Sequence, residues 1–449
     1  MTTRKCPPQP LVPVASSRRV LLVAYYVPPA GGPAVQRILQ FIEYLEEAGW
    51  TPEVLTVREG AYPNRDASLL ADIPDTVRVH RTPSLDPLAV YQALRGGEDN
   101  LPAGSMGAED PSWLEWAARW IRANIFLPDA RVGWWPFAVW RGRRLLQNGR
   151  FDAVLTSGAP HSVHLIGRSL HRGDGTPWVA DLHDPWTDIS YYDEFPRTGW
   201  ARRRDEALER SVLMEADAVT SVSPSWADLF AGKAVNRYAV VENGIDLSDF
   251  EGVAGTVDAA TFTLAHVGKL YASRNPTALW RALASLRAEE KIPKLRVRLT
   301  GSVDPAVRKS IRAHDLGSIV EVESFVPHEE ALRRMASSTL LLLVIESFAQ
   351  ADGMITSKLY EYLATGRPVL GVGPPDGDAQ ALLDRHGAGA MAGWDDAERV
   401  REIVLSHYEA WAEGTPKAGA SRSALAPHTR QAQTQRMAEV LDAVVDPSA

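Results

Sequence analysis

The sequence predicts an α/β protein built from two Rossmann-like, doubly wound domains that face each other across a cleft. Three observations carry this. Strand-like runs alternate with helical segments along the chain, which gives parallel sheets with helices on both faces. Runs such as Val20-Leu21-Leu22-Val23-Ala24 are uniformly apolar, as in strands buried on both faces. Residues 251–261 are small and weakly structured, and read as a linker between two alternations of similar size.

In residues 1–17, Pro7, Pro8, Pro10 and Pro13 interrupt any apolar run beside Arg4 and Lys5, so a disordered leader is expected rather than a secretion signal. The first domain, 18–250, has strands expected near 20–25, 53–57, 77–80, 153–157, 178–181 and 218–222, and 240–241 leads into Glu242-Asn243-Gly244-Ile245-Asp246. The second, 262–425, has strands expected near 263–267, 296–300, 320–324, 340–345 and 369–372. Helical patterns at 278–290, 306–314 and 329–336 separate them, and helices near 397–411 and 430–444 end the chain.

Composition narrows the class. The chain has 449 residues, enough for two large cores, and is 45% hydrophobic and 23% charged, as in soluble globular proteins. A net charge of −8 argues against a general nucleic-acid binder. Cys6 is the sole cysteine, which excludes an internal disulfide and a Cys-rich metal site and is compatible with a reducing cytoplasm. The longest apolar run, 340–345, suits a buried strand and is too short to span a bilayer. A cytoplasmic protein, soluble or peripheral at the inner face of a membrane, is expected.

The most informative stretch is 353–374. A loop feeds a short helix capped by Thr356 or Ser357 and closed by Gly366, and Pro368 opens a β-branched strand. The first N–H groups of such a helix lack intrahelical partners and favour a phosphate, and Lys358 adds a full charge there. Glu361 follows about one turn later, where a carboxylate can accept two ribose hydroxyls. An ordinary capped αβ unit is the bland alternative.

Other strand ends carry chemistry too. Gly31 and Gly32, after the first strand, allow a sharp turn and close ligand approach, and Pro33 suits a helix start. The same residues fit a purely structural turn, and Arg37 faces either way. His161 sits where a helix opens, and a helix N-terminus disfavours its charged form; it either meets a sugar hydroxyl or caps and packs. His164 is expected to face the core. Asp181, His183 and Asp184 crowd one strand end and invite a metal or acid/base reading, though one short loop seldom completes a metal site without partners elsewhere; a structural Asp-Pro turn is the alternative. Residues 266–276 place Lys269 and Arg274 on a loop with Gly268, either as a clamp for a diphosphate leaving group or as surface cations.

Tryptophan is frequent, 14 in all, and Trp113, Trp116, Trp120, Trp134, Trp135 and Trp140 share a span with Arg119, Arg122, Arg131, Arg141, Arg143, Arg144 and Arg150. That mixture suits a membrane interface or a core with a solvated rim. No metal site is expected, since no HExxH, CxxC pair or convincing Asp-x-Asp motif appears.

Over roughly 18–425 the chain resembles the retaining family-4 glycosyltransferases, which have the GT-B fold. The segment around Lys358-Leu359-Tyr360-Glu361 resembles the variant of bacterial surface-polysaccharide transferases. The family's two glutamates, eight positions apart, fall here at Gly353 (beside Asp352) and Glu361, so the first is replaced. The resemblance implies that Glu361 binds the donor ribose, Lys269 and Arg274 clamp the phosphates and His161 orients the sugar. It also implies that the glycine loops at 31–32 and 268, with Thr356 and Lys358, line the donor. His183 stands where related transferases have arginine in an Asp-Arg-Asp-Pro-Trp segment, and the resemblance implies that Asp181, His183 and Asp184 wall the acceptor site. In that fold the last helix, within 426–449, crosses back to the first domain.

The implied reaction is metal-independent transfer of a sugar from a nucleoside diphosphate sugar, UDP- before GDP-linked, to a hydroxyl on a sugar or lipid-linked acceptor, with anomeric stereochemistry kept. No separate cofactor and no nucleic-acid partner are implied. Two rivals stand beside it: a nucleotide-sugar epimerase of the same fold, and a catalytically silent nucleotide-sugar-binding subunit.

Overall fold

The computed structural model describes residues 18–85 and 113–446, apart from Val235 and Ala254. The expected leader, 1–17, lies outside the described residues.

The first sheet comprises β1 (Arg18–Val23), β2 (Trp50–Val57), β3 (Arg78–Thr82), β4 (Ala153–Gly158), β5 (Trp178–Leu182), β6 (Ala218–Ser221) and β7 (Tyr238–Val240). Its strands are ordered β3-β2-β1-β4-β5-β6-β7 and all pair in parallel. The second comprises β8 (Phe262–Val267), β9 (Leu295–Thr300), β10 (Val320–Glu323), β11 (Leu340–Val344), β12 (Val369–Val372) and β13 (Gly389–Ala392), ordered β10-β9-β8-β11-β12-β13. The chain reverses its direction of strand addition between β1 and β4 in one sheet and between β8 and β11 in the other. Loops on either side of such a reversal diverge and leave a crevice at the carboxyl ends. The loops after β1, β4, β8 and β11 carry most of the candidate residues.

Helices cover both faces of each sheet. Those used below are α1 (Pro33–Tyr44), α2 (Trp113–Asn124), α3 (Trp135–Asn148), α4 (Ser162–Asp174), α5 (Gly199–Glu215) and α6 (Pro224–Lys233) in the first half. In the second they are α7 (Thr277–Ala288), α8 (Pro305–Ala313), α9 (His328–Ser337), α10 (Ser357–Ala364), α11 (Asp378–His386), α12 (Ala397–Ala412) and α13 (Arg430–Val445). Helix α13 packs Met437, Ala438, Leu441 and Val444 into the first domain's core with Val20, Leu22, Phe41 and Trp50. The Trp50 indole donates to Asp442 at 3.1 Å, fastening the same contact from its rim.

Strand β13 has no counterpart among the expected strands. Its residues, Gly-Ala-Met-Ala, lack β-branched and aromatic side chains. Pairing with β12, Val369↔Gly389 through Val372↔Ala392, makes it a strand. The tryptophan-rich span divides between two environments. Trp134 is fully buried and donates to Thr82 Oγ1 at 2.7 Å, whereas Trp113, Trp116 and Trp140 are 75%, 55% and 58% exposed.

The domains touch through loops at the carboxyl ends of their sheets. Ser225 N–H at the start of α6 donates to Asp378 Oδ2 at 2.9 Å, and Trp226 Nε1 donates to the Gln350 carbonyl at 2.9 Å.

Candidate active site

On the second domain, β8 runs into Gly268, whose φ of 121° is readily adopted only by glycine. A Cβ at Gly268 would lie 2.5 Å from Lys358 Nζ, so the missing side chain is what admits the ammonium group. Burial, then the nearby Arg274 charge, pushes Lys358 down to about 8. Arg274 Nε is buried without a hydrogen-bond partner, and its nearest carboxylate, Glu346, is 3.9 Å away. Two cations therefore share a poorly solvated site with Glu346 and Glu361 nearby but no hydrogen-bonded carboxylate among the described residues, an arrangement that favours an anionic ligand. Lys269 is on the same loop but is exposed, so the structure brings Lys358 rather than Lys269 into the closest electrostatic relation with Arg274.

Helix α10 starts at this place. Thr356 is its N-cap residue, but its side chain makes no capping bond, and the buried Thr356 Oγ1 has no partner. Glu361 is one turn further on. Burial raises its carboxyl above the usual carboxylate range, against the pull of His328, Lys358 and Arg430. His328 is in turn held above its ordinary value by Asp249, 3.8 Å away, and by Glu361. Sequence reasoning missed Asp249, His328 and Arg430 because they come from the end of the first domain, α9 and α13, and no local motif marks them.

Gly353, where the family pattern has its first glutamate, has a tertiary explanation. A Cβ there would lie 2.2 Å from the Trp226 ring of the other domain. The indole of α6 occupies the volume that any side chain at 353 would need.

On the first domain, the loop after β4 ends at His161, the N-cap residue of α4. Its ring stacks on Trp186, with centroids 4.8 Å apart and planes 8° from parallel. Burial, followed by the charges of His164 and His183, holds His161 well below its ordinary value, so the imidazole is neutral; its Nδ1 has no partner. His164 is fully buried, hydrogen-bonds Thr156 through Nδ1 at 2.9 Å and is pulled down to about 3 by burial.

Asp181 requires a correction to the acceptor-wall reading. Arg37 Nε and Nη2 donate to its two oxygens at 2.8 and 2.6 Å, and Ser157 and Thr220 hydroxyls add bonds of 2.5 and 2.7 Å. Burial opposes its charge, but Arg37 more than reverses this and holds the carboxyl well below the usual carboxylate range. With four donors on it, Asp181 has no lone pair left to offer an acceptor. Arg37 also donates to the Val241 and Glu242 carbonyls, so this buried pair ties α1, β5 and the segment after β7 together.

His183 lies 3.1 Å from Ser157 Oγ and is pulled down to about 4 by burial. Asp184 differs from its neighbour Asp181, since burial alone acts on it, pushing its carboxyl up to about 6. Gly31 packs against the chain at Asp66, where a Cβ would lie 3.2 Å from the Asp66 Cβ, and Gly32 takes a φ of 108° before α1. Both have structural reasons to be glycine. Among the described residues, no group of three or more His, Cys, Asp or Glu is placed to hold a metal ion.

Comparison with known proteins agrees with this architecture. The family described as "Glycosyl transferase 4-like domain" matches residues 31–244. A D-inositol 3-phosphate glycosyltransferase of Pseudarthrobacter chlorophenolicus is 26% identical over 283 residues, covering 57% of this chain and 63% of that protein's length. Anabaena HepE, solved in complex with UDP and glucose, is similar with a TM-score of 0.59 at 16% identity, over 94% of this chain and 98% of its own. The sucrose-phosphate synthase of Thermosynechococcus elongatus gives 0.58 at 14% identity over 95% and 96%. Residues 31–244 thus match a glycosyltransferase family, and the two parallel sheets give the chain the two-domain GT-B fold of its solved neighbours.

Proposed function

We propose that the protein is a retaining glycosyltransferase that moves a sugar from a nucleoside diphosphate sugar, UDP- before GDP-linked, to a hydroxyl acceptor in polysaccharide or glycoconjugate assembly. The observation that carries this reading is the pair Arg274 and Lys358, drawn together beside Gly268 and the start of α10 with no hydrogen-bonded carboxylate among the described residues, Glu346 being 3.9 Å from Arg274. A diphosphate leaving group supplies that counter-charge. Glu361 is a desolvated carboxylate one turn away, suited to a pair of ribose hydroxyls. The named activity of the Pseudarthrobacter relative and the UDP and glucose in the HepE complex support a nucleotide-sugar donor.

In the proposed reaction the acceptor oxygen forms a bond to the anomeric carbon on the face from which the diphosphate departs. The bond from that carbon to the phosphate oxygen breaks, and the acceptor proton passes to the leaving diphosphate. Charge accumulates on the diphosphate, where Arg274, Lys358 and Lys269 stabilise it. Neutral His161, held flat against Trp186, orients the sugar through a ring nitrogen. No protein nucleophile and no metal enter this scheme.

The test is turnover of UDP- and GDP-sugars with membrane lipid extract as acceptor, following both nucleotide release and the sugar product. Nucleotide release with transfer and kept anomeric configuration is the expected result. Interconversion of sugars without steady nucleotide release points to an epimerase, and tight binding without any consumption points to a silent binding subunit.

A further inference from the structure

The aromatic ring against His161 is held by a carboxylate that the proposed reaction does not use. His161 Nδ1 is buried without a partner, and no hydrogen bond among the described residues fixes the plane of its imidazole. The backbone beside it is pinned, because Ser162 N and Oγ both donate to Asp129, at 2.8 and 2.9 Å. The ring itself is placed by its stack on Trp186, 4.8 Å away and 8° from parallel. Trp186 is 2% exposed, and its Nε1–H donates to Asp205 Oδ1 at 2.8 Å. Asp205 Oδ2 accepts in turn from the Tyr192 hydroxyl at 2.9 Å.

Helix α5 presents two buried carboxylates one turn apart, Asp205 and Glu209, to successive residues of the loop after β5. Asp205 takes the indole of Trp186, and Glu209 takes the hydroxyl of Thr187 at 2.6 Å. Their surroundings differ. Lys233 Nζ donates to Glu209 at 2.7 Å, which neutralises that carboxylate where it lies. Asp205 is 1% exposed, and no cation among the described residues forms an ion pair with it. Arg197, the cation that pulls on it, lies over the Tyr192 ring at 3.8 Å. Burial accordingly pushes the Asp205 carboxyl up to about 6. A core carboxylate with two neutral donors and no counter-ion costs stability that an apolar side chain of similar volume would not. What it provides instead is a charge-assisted bond, short and directional, to the one polar atom of the indole.

We propose that Asp205 is a positioning residue for sugar transfer: through Trp186 it fixes the plane in which His161 meets the donor sugar. The assignment rests on the glycosyltransferase reading, in which neutral His161 orients the sugar through a ring nitrogen. A stack alone leaves two rings free to slide, because aromatic pairs gain similar energy over a range of offsets. A hydrogen bond at the indole nitrogen removes that freedom from one ring, and the near-parallel contact passes the constraint to the other. Asp205 touches neither the substrate nor the reacting atoms and acts only through the indole. Glu209 and Lys233 both bond the adjoining Thr187, so the loop stays in place when the indole alone is released.

The experiment reads the ring before it reads the reaction. In protein carrying isotope-labelled histidine, the His161 ring protons, assigned by their loss in His161→Ala, should be shifted upfield by the Trp186 ring current. Asp205→Leu should move them back toward the free-histidine position in protein that a cooperative unfolding transition shows to be folded. Asp205→Asn keeps an acceptor for the indole and should preserve the shift. In nucleotide release, Asp205→Leu should lower kcat roughly 10-fold or more, since small misplacements of an oriented group are costly. UDP affinity should stay unchanged, and Asp205→Asn should recover most of the rate. In a His161→Ala background, Asp205→Leu should cost nothing further. Should Asp205→Leu fail to fold, Asp205→Ala takes its place, because the space it opens admits water to both donors. If that variant also fails, the carboxylate is structural and the proposal is overturned. An unmoved His161 shift in the folded variant, or an equal loss of kcat with and without the imidazole, overturns it as well. Parent protein that neither binds UDP nor turns over a nucleotide sugar fails the glycosyltransferase reading, and with it the role in transfer; the His161 shift then reads the Asp205 contact by itself.

Discussion

Arg274 and Lys358 are the side chains on which the donor reading stands. Removing one donor to charge that develops in a transition state costs about 3 kcal/mol, so Arg274→Ala should slow steady-state nucleotide release about 100-fold. A rate within about threefold of the parent would take Arg274 out of the reaction. Lys358 gives a prediction with a sign. Its ammonium is charged below about pH 8 in the empty protein and neutral above it, whereas an unfolded lysine titrates near 10.5. Burial of that charge therefore costs stability up to about pH 8, and the cost fades as pH rises toward 10.5. A bound diphosphate favours the charged form. Nucleotide affinity should fall as pH rises through 8, and binding above that value should take up a proton. Calorimetry near about pH 8.5, where phosphate is fully ionised, in two buffers of different ionisation heat reads that proton directly. Lys358→Gln should abolish the uptake.

Two contacts between elements set how the cleft is held. The Arg37–Asp181 pair joins α1 to β5 and to the segment after β7, with both side chains at most 2% exposed. Breaking a buried pair from one side leaves the other charge unpaired, so Asp181→Ala should cost about 3–5 kcal/mol in denaturant unfolding. Replacing both, as Arg37→Met with Asp181→Leu, should recover most of that loss. The second contact is Gly353 against Trp226. A methyl group at 353 would press on the indole at 2.2 Å, and such overpacking typically costs about 1–3 kcal/mol. Gly353→Ala should therefore be destabilising alone and nearly neutral in a Trp226→Ala background. Equal costs in the two backgrounds, measured as a double-mutant cycle, would mean that the contact is not made in solution.

At the scale of the whole molecule, the outer surface of the first domain is the feature with no partner among the described residues. Trp113, Trp116 and Trp140 are 75%, 55% and 58% exposed, Ile125 is 61% exposed, and Arg144 lies over the Trp140 ring at 4.8 Å. No helix among the described residues is long and apolar enough to cross a membrane. Exposed aromatic rings among arginines suit the headgroup layer of an anionic bilayer. Vesicles containing anionic lipid should retain the protein at low salt and release it as salt rises. Trp113→Ser with Trp116→Ser should weaken that retention while shifting the unfolding midpoint little, because more than half of each side chain is exposed. If anionic vesicles fail to hold the parent at low salt, membrane contact is ruled out for this face.

The sequence by itself determined the class of fold. Apolar runs such as 340–344 and 20–23 leave no choice but strands covered on both faces, and their alternation with amphipathic helices leaves little but parallel sheets. It also marked the loops where polar residues gather, since His161, Arg274 and Lys358 follow strand ends in local patterns. Only the tertiary structure decided what those residues face. Asp181 and Asp184 are only three positions apart, yet one is saturated by Arg37, Ser157 and Thr220 and the other is left with burial alone. Gly353 looked like a missing carboxylate, and the reason for it is an indole from the other domain. Trp134 and Trp140 share one tryptophan-rich run but sit in the core and in solvent. Periodicity reports which face of an element is apolar. The charges, rings and backbone that reach a given side chain come from segments far away in sequence, and only folding brings them together.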